Sequence, residues 1–273
     1  MIEHALWAAL LLLIVASALP GQRRKYRFLA GSAGWGFFAI HWLIQPAHYI
    51  EIGDYVNVLL VLGVAVFCMI IAHAMYRNYK HSLDDGDILL TITTAAALGG
   101  LFYYPFAKVE FLNTFLISVV TEQVVYVLHA FSVPAQQINW NQIELNYHTI
   151  TIILACTAIE SIAIFIGLIF CVRASMKRTM IAFIASVPMI YALNMVRNAF
   201  VVVAFGYMWF GERSFQIAHH IIAKIGSGIA LFVIAYVVLQ VLPELLNAID
   251  QLFAIVRRYL TTMTTRNKRE DEL

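Results

Sequence analysis

Charge is scarce in this 273-residue chain: 12% of its residues are Asp, Glu, Lys or Arg, and 62% are apolar. A soluble globular domain carries roughly 25% charged residues, and the mean hydropathy of +0.79 lies far from such a composition. An ordinary water-soluble protein is excluded. The net charge of +2 is too small to suggest nucleic acid as a partner. Only three cysteines are present, Cys68, Cys156 and Cys171. All lie in apolar runs, which excludes a disulfide framework and a CxxC metal pattern. The histidines, among them His41, His48, His73, His129 and His148, show no HExxH spacing, so neither a metal nor another cofactor is expected.

What the chain has in abundance is long apolar runs. A bilayer core of about 30 Å takes about 20 helical residues to cross. Runs of that order fall at approximately 4–20, 28–46, 55–76, 87–104, 148–172, 179–208 and 215–242, with a further apolar segment at 111–130. These predict an all-α, polytopic membrane helix bundle of about seven spans, organised as one membrane domain over 1–243. The first run contains the A-x-A-like triplet Ala16-Ser17-Ala18. Its leader, however, carries Glu3 rather than basic residues, so it is expected to remain as a span.

Basic residues set the orientation. Arg23, Arg24, Lys25 and Arg27, then Arg77 and Lys80, then 173–178, then the tail from Arg257 all fall beside span ends and are assigned to the cytoplasm. This holds together only if 111–130 does not cross, and Glu122 near its middle would be costly inside hydrocarbon. The segment is therefore expected to be interfacial or re-entrant. Residues 132–146, rich in Asn and Gln, read as an outer-face loop and a substrate lid, with Trp140 and Tyr147 as interface anchors.

After Pro243, the residues Leu245, Leu246, Ile249, Leu252, Phe253, Val256 and Leu260 recur at three and four. That spacing predicts an amphipathic helix on the cytoplasmic surface, followed by a basic tail, over 244–273. The terminal Glu270-Asp271-Glu272-Leu273 superficially resembles a retention tetrapeptide, but its first residue is wrong and it faces the wrong side.

Three reactive side chains fall at one depth. At about 1.5 Å per helical residue, Cys156 stands about 26 Å above Arg173, and Arg197 stands about 28 Å above Arg178 on the next span. His219 and His220 open the run that starts after the outer turn Gly211-Glu212-Arg213-Ser214. Each has a bland reading beside the chemical one. A membrane cysteine is more often a packing residue, which is the reading for Cys68 and Cys171. Arg197 within a span usually marks a site or a buried pair, with Glu160 as a structural partner in the second case. Two adjacent histidines point about 100° apart on a helix, so at most one of them is expected to face Cys156, the other sitting at the headgroup level.

The order Ala155-Cys156-Thr157, Asn194-Met195-Val196-Arg197-Asn198, His219-His220-Ile221-Ile222-Ala223 resembles the exosortase and archaeosortase family of multi-pass cysteine transpeptidases, with the archaeosortase branch the nearer. The likeness is carried by 145–242, while the first half matches only as hydrophobic spans. It implies cleavage of a C-terminal signal, made of a short motif, a transmembrane helix and a basic tail, on exported surface proteins, at the extracytoplasmic face of the cell membrane. On the archaeal branch it implies that the new C-terminus is joined to a membrane lipid.

By the same resemblance, a small residue often follows the family histidine by four positions. Ala223 stands so after His219, whereas Lys224 stands so after His220. The roles that follow are Cys156 as nucleophile through a thioester and His219, or alternatively His220, as acid and base. Arg197 stabilises thiolate and oxyanion, with Asn194 supporting it. Two other readings compete: an intramembrane cysteine protease that releases its product by hydrolysis, and a transporter or noncatalytic membrane scaffold.

Overall fold

The computed structural model describes residues 2–51, 54–81, 83 and 85–270. Side chains of Ile2, Glu3, His48, Leu260 and 262–270, and all of 271–273, lie outside the described residues, so the readings placed on Glu3, His48, Leu260 and the terminal tetrapeptide do too. Helices dominate, and the chain is an all-α polytopic membrane bundle. It divides into two compact units, the first formed by 1–98 with 244–273 and the second by 99–243. Among the described residues, five helices are long and apolar enough to cross a membrane.

The first unit contains α1 (Ile2–Ala18), α2 (Arg24–Ile44), the short α3 (Pro46–Glu51), α4 (Tyr55–His81) and the beginning of α5 (Gly86–Lys108). Its core holds Trp35, Ile71, Met75 and Leu89, all nearly inaccessible. Although Trp42 Nε1 and Asn78 Oδ1 are not, several buried polar groups there are paired. Trp35 Nε1, for instance, donates to Thr93 Oγ1 at 3.0 Å.

From Glu244 onward, the C-terminal helix α10 (Pro243–Glu270) belongs to this unit. Its helical character follows the apolar spacing, but the buried face is Leu245, Ile255 and Tyr259, flanked by Ala248, Leu252 and Val256. The expected stripe is therefore split. Part of it packs on the protein's own core, while Leu246 and Phe253 stay exposed.

The second unit holds the end of α5, then α6 (Glu110–Ala130), α7 (Ile159–Cys171), α8 (Met176–Gly206) and α9 (Ala223–Val241). The 111–130 segment is one unbroken helix, not a re-entrant hairpin. Its 21 residues place it among the five helices long enough to cross.

Two sequence expectations are corrected. The span at 148–172 is not one helix: α7 has only 13 residues, or about 20 Å of helix. The loop at 132–146, and the residues after it, form a three-stranded antiparallel sheet of β1 (Gln136–Asn139), β2 (Gln142–Leu145) and β3 (His148–Thr151). Alternation explains the sheet: Ile143, Leu145, Ile150 and Ile152 are buried, with polar residues between them. Asn146 and Tyr147, both at positive φ, make the two-residue turn that matches strand twist between β2 and β3.

The sheet docks on the end of α8. Asn146 Nδ2 donates to the Gly206 carbonyl at 3.1 Å. A Cβ at Gly206 would come within 2.6 Å of the Leu145 side chain, so glycine is what permits this approach.

Candidate active site

Cys156 ends a short 3-10 turn, Leu154–Cys156, between β3 and α7. The helix expected to carry it has not yet begun at that point. Thr157 closes the turn by donating Oγ1 to the Leu154 carbonyl at 2.7 Å. Ala158, at φ 60°, then takes the left-handed conformation. That conformation costs a non-glycine residue on the order of 1–2 kcal/mol and sends the chain abruptly into α7. The thiol is thus mounted on a strand-to-helix corner, a geometry suited to presenting a nucleophile rather than packing it in a row of helix side chains.

The corner is clamped from α8. Asn194 Nδ2 and Asn198 Nδ2 both donate to the Cys156 carbonyl, at 2.7 and 2.8 Å. These asparagines are one helical turn apart and buried, 7% and 5% exposed. Asn194, expected to support Arg197, thus holds the backbone of Cys156. Asn198, inside the quoted Asn-Met-Val-Arg-Asn run, shares the role and was not singled out by the sequence.

Arg197 lies between the two clamping residues in sequence and is half-buried. Its Nε is buried without a hydrogen-bond partner. Glu160, the alternative structural partner, instead accepts from Tyr103 Oη at 3.2 Å. An orphaned guanidinium nitrogen is an unusual thing to leave in place, since burying an unpaired donor of a charged group is costly.

His219 and His220 sit in a π-helical stretch, Gln216–Ile222, that leads into α9. Such bulges are frequent at functional sites. Their rings meet edge to face at 4.8 Å, and Phe215 stacks on His219 at 5.2 Å. His219 is half-buried and within electrostatic reach of Arg197, whereas His220 is exposed.

Cys156, Met195 of α8 and Ala223 of α9 share one buried cluster. The three elements that carry the thiol, the guanidinium and the imidazoles therefore converge. Among the described residues, neither imidazole hydrogen-bonds the thiol. Catalytic contacts commonly tighten only once substrate is bound. A cavity of about 540 Å³ opens beside the corner, lined by Ala155, Ala158, Asn194 and Arg197 together with α9 residues from Ala223 to Ile234. Cys68 is fully buried in the first unit's core, as its packing reading requires.

Two archaeal proteins are similar along nearly their whole length. Archaeosortase A of Haloferax volcanii is 27% identical over 286 residues, covering 92% of each chain. Archaeosortase A of Natronomonas pharaonis is 26% identical over 281 residues, covering 89% of this chain and 87% of its own. No solved structure matches. The family model described as transmembrane exosortase matches residues 3–241, well beyond the 145–242 that carry the motifs. By that match, the chain belongs to the transmembrane exosortase family.

Proposed function

We propose that the protein is a membrane-embedded cysteine transpeptidase of the archaeosortase type. It cleaves the C-terminal sorting signal of exported proteins and transfers the new C-terminus to a membrane lipid. The observation that carries this reading is the two-asparagine clamp on the Cys156 carbonyl. A packing cysteine needs no such fixation, whereas a nucleophile gains from it because attack demands a fixed geometry.

In the reaction, the Cys156 sulfur attacks the scissile carbonyl carbon as His219 removes the thiol proton. Arg197 donates to the oxyanion that forms, for which a permanently charged, rigid fork is well suited. The C–N bond breaks, the amine leaves with the proton from His219, and an acyl thioester remains on Cys156. A nucleophilic lipid head group then attacks the thioester. His219 takes its proton, and the Cys156 sulfur departs to regain one. The sheet above the corner keeps bulk water from the thioester, in place of the lid expected from a loop. The site lies toward the extracytoplasmic face, nearer the end of α8 opposite the basic residues at 173–178, which positive-inside bias assigns to the cytoplasm.

The test is the mass of the product's C-terminus after incubation of the full chain in lipid with a signal-bearing substrate. A lipid adduct that disappears in Cys156→Ala supports transfer. A free carboxylate as the sole Cys156-dependent product means hydrolysis. Processing that survives Cys156→Ala overturns both.

A further inference from the structure

The cavity beside Cys156 has an unusual makeup. Its charged lining groups are Arg197 and Lys224, and no carboxylate lines it. Arg197 lies within the apolar α8, where a central arginine costs about 2.5–3.5 kcal/mol on insertion scales, and Lys224 stands exposed in the first turn of α9. Among the described residues, neither takes part in an ion pair. Two uncompensated cations facing one cavity call for an anion.

Beyond Lys224 the walls turn apolar, with Leu231 and Ile234 on α9 facing Ile190 and Leu193 on α8. From Lys224 to Ile234 this wall runs about 15 Å. Gly226 and Gly228 leave open space where side chains would otherwise project. A ligand that satisfies both features has a negative head and a narrow hydrocarbon tail.

We propose that this cavity seats the lipid acceptor and that Lys224 binds its phosphate, which makes the acceptor a phosphodiester lipid with a head-group amine or hydroxyl. This inference rests on the transpeptidase reading. With the phosphate at Lys224, the head-group nucleophile reaches toward Arg197 and the thioester. Its N–H or O–H proton passes to His219 as the new C–N or C–O bond forms. The C–S bond breaks, and its electron pair leaves on the Cys156 sulfur. Lys224 is thus a specificity-determining residue that takes no part in proton transfer.

The experiment uses the full chain in phosphatidylcholine vesicles containing phosphatidylethanolamine or phosphatidylglycerol, with diacylglycerol as an acceptor that has a hydroxyl but no phosphate. Transfer to lipid is read against discharge of the same thioester by hydroxylamine, in Lys224→Met and Lys224→Arg. The ratio for the two phosphodiester acceptors is expected to fall about tenfold in Lys224→Met, through a raised KM for lipid, and to recover to within about twofold in Lys224→Arg. The ratio for diacylglycerol is expected not to follow the charge. An unchanged ratio in Lys224→Met overturns the inference and leaves the transpeptidase reading intact. So does a raised KM for the substrate protein instead of the lipid. Failure of the wild type to form any thioester overturns the transpeptidase reading itself.

Discussion

Removing the clamp on Cys156 should uncouple the nucleophile from its partners. The Cys156 carbonyl accepts from Asn194 and Asn198 at 2.7 and 2.8 Å, and both donors are almost fully buried. A single buried hydrogen bond contributes about 0.5–1.5 kcal/mol net, while a buried carbonyl left with no donor costs about 1–3 kcal/mol. Either alanine variant alone leaves one donor in place, so each should cost about 1 kcal/mol. The double variant strips both and should cost about 3 kcal/mol or more, exceeding the sum of the singles. With the corner released, a displacement on the order of 1 Å at the sulfur lowers the rate about 100-fold. Asn194→Asp should be worse than Asn194→Ala, because it turns an acceptor toward an acceptor. The assay is single-turnover acylation of Cys156, followed alongside thermal unfolding in detergent. A folded Asn194→Ala/Asn198→Ala double variant that acylates within about twofold of wild type would refute the reasoning.

Three further outcomes follow from the geometry. His219→Ala should lower acylation by 10²–10⁴, the range for loss of a general acid–base, and exposed His220→Ala by less than tenfold; the reverse order in single-turnover rates would reassign the base. Arg197→Lys keeps the charge but loses the fork, so kcat should drop by about 10²–10³ with KM little changed, as steady-state kinetics would show. Gly206→Ala forces a methyl into the Leu145 side chain and should destabilise the second unit by about 1–3 kcal/mol, seen as a lower Tm without a new cleavage product.

Much of the site was written in the sequence because its chemistry depends on rare residue types. An arginine and a histidine pair stand out against apolar spans, and their order with Cys156 is preserved in the converging elements. Other features were hidden by the composition itself. Ile150, Ile152, Ile153 and Leu154 run directly into the apolar α7, so a strand, a corner and a short helix read as one span, although the alternation of Ile143, Leu145, Ile150 and Ile152 was there to be seen. The left-handed Ala158 carries no glycine or asparagine to announce it. The clamp of Asn194 and Asn198 acts on a backbone carbonyl, which no side-chain pattern displays. In α10 the period was legible but its partner was not: Ile255 and Tyr259 turn inward, where the spacing alone had pointed Phe253.

The central claim is a covalent one, and mass spectrometry of the enzyme quenched during turnover tests it most directly. The account predicts that the peptide containing Cys156 gains the mass of the substrate's acyl fragment, that hydroxylamine removes it, and that Cys156→Ser carries no such thioester. Substrate processing with no adduct on Cys156, or with the adduct on another residue, would contradict it.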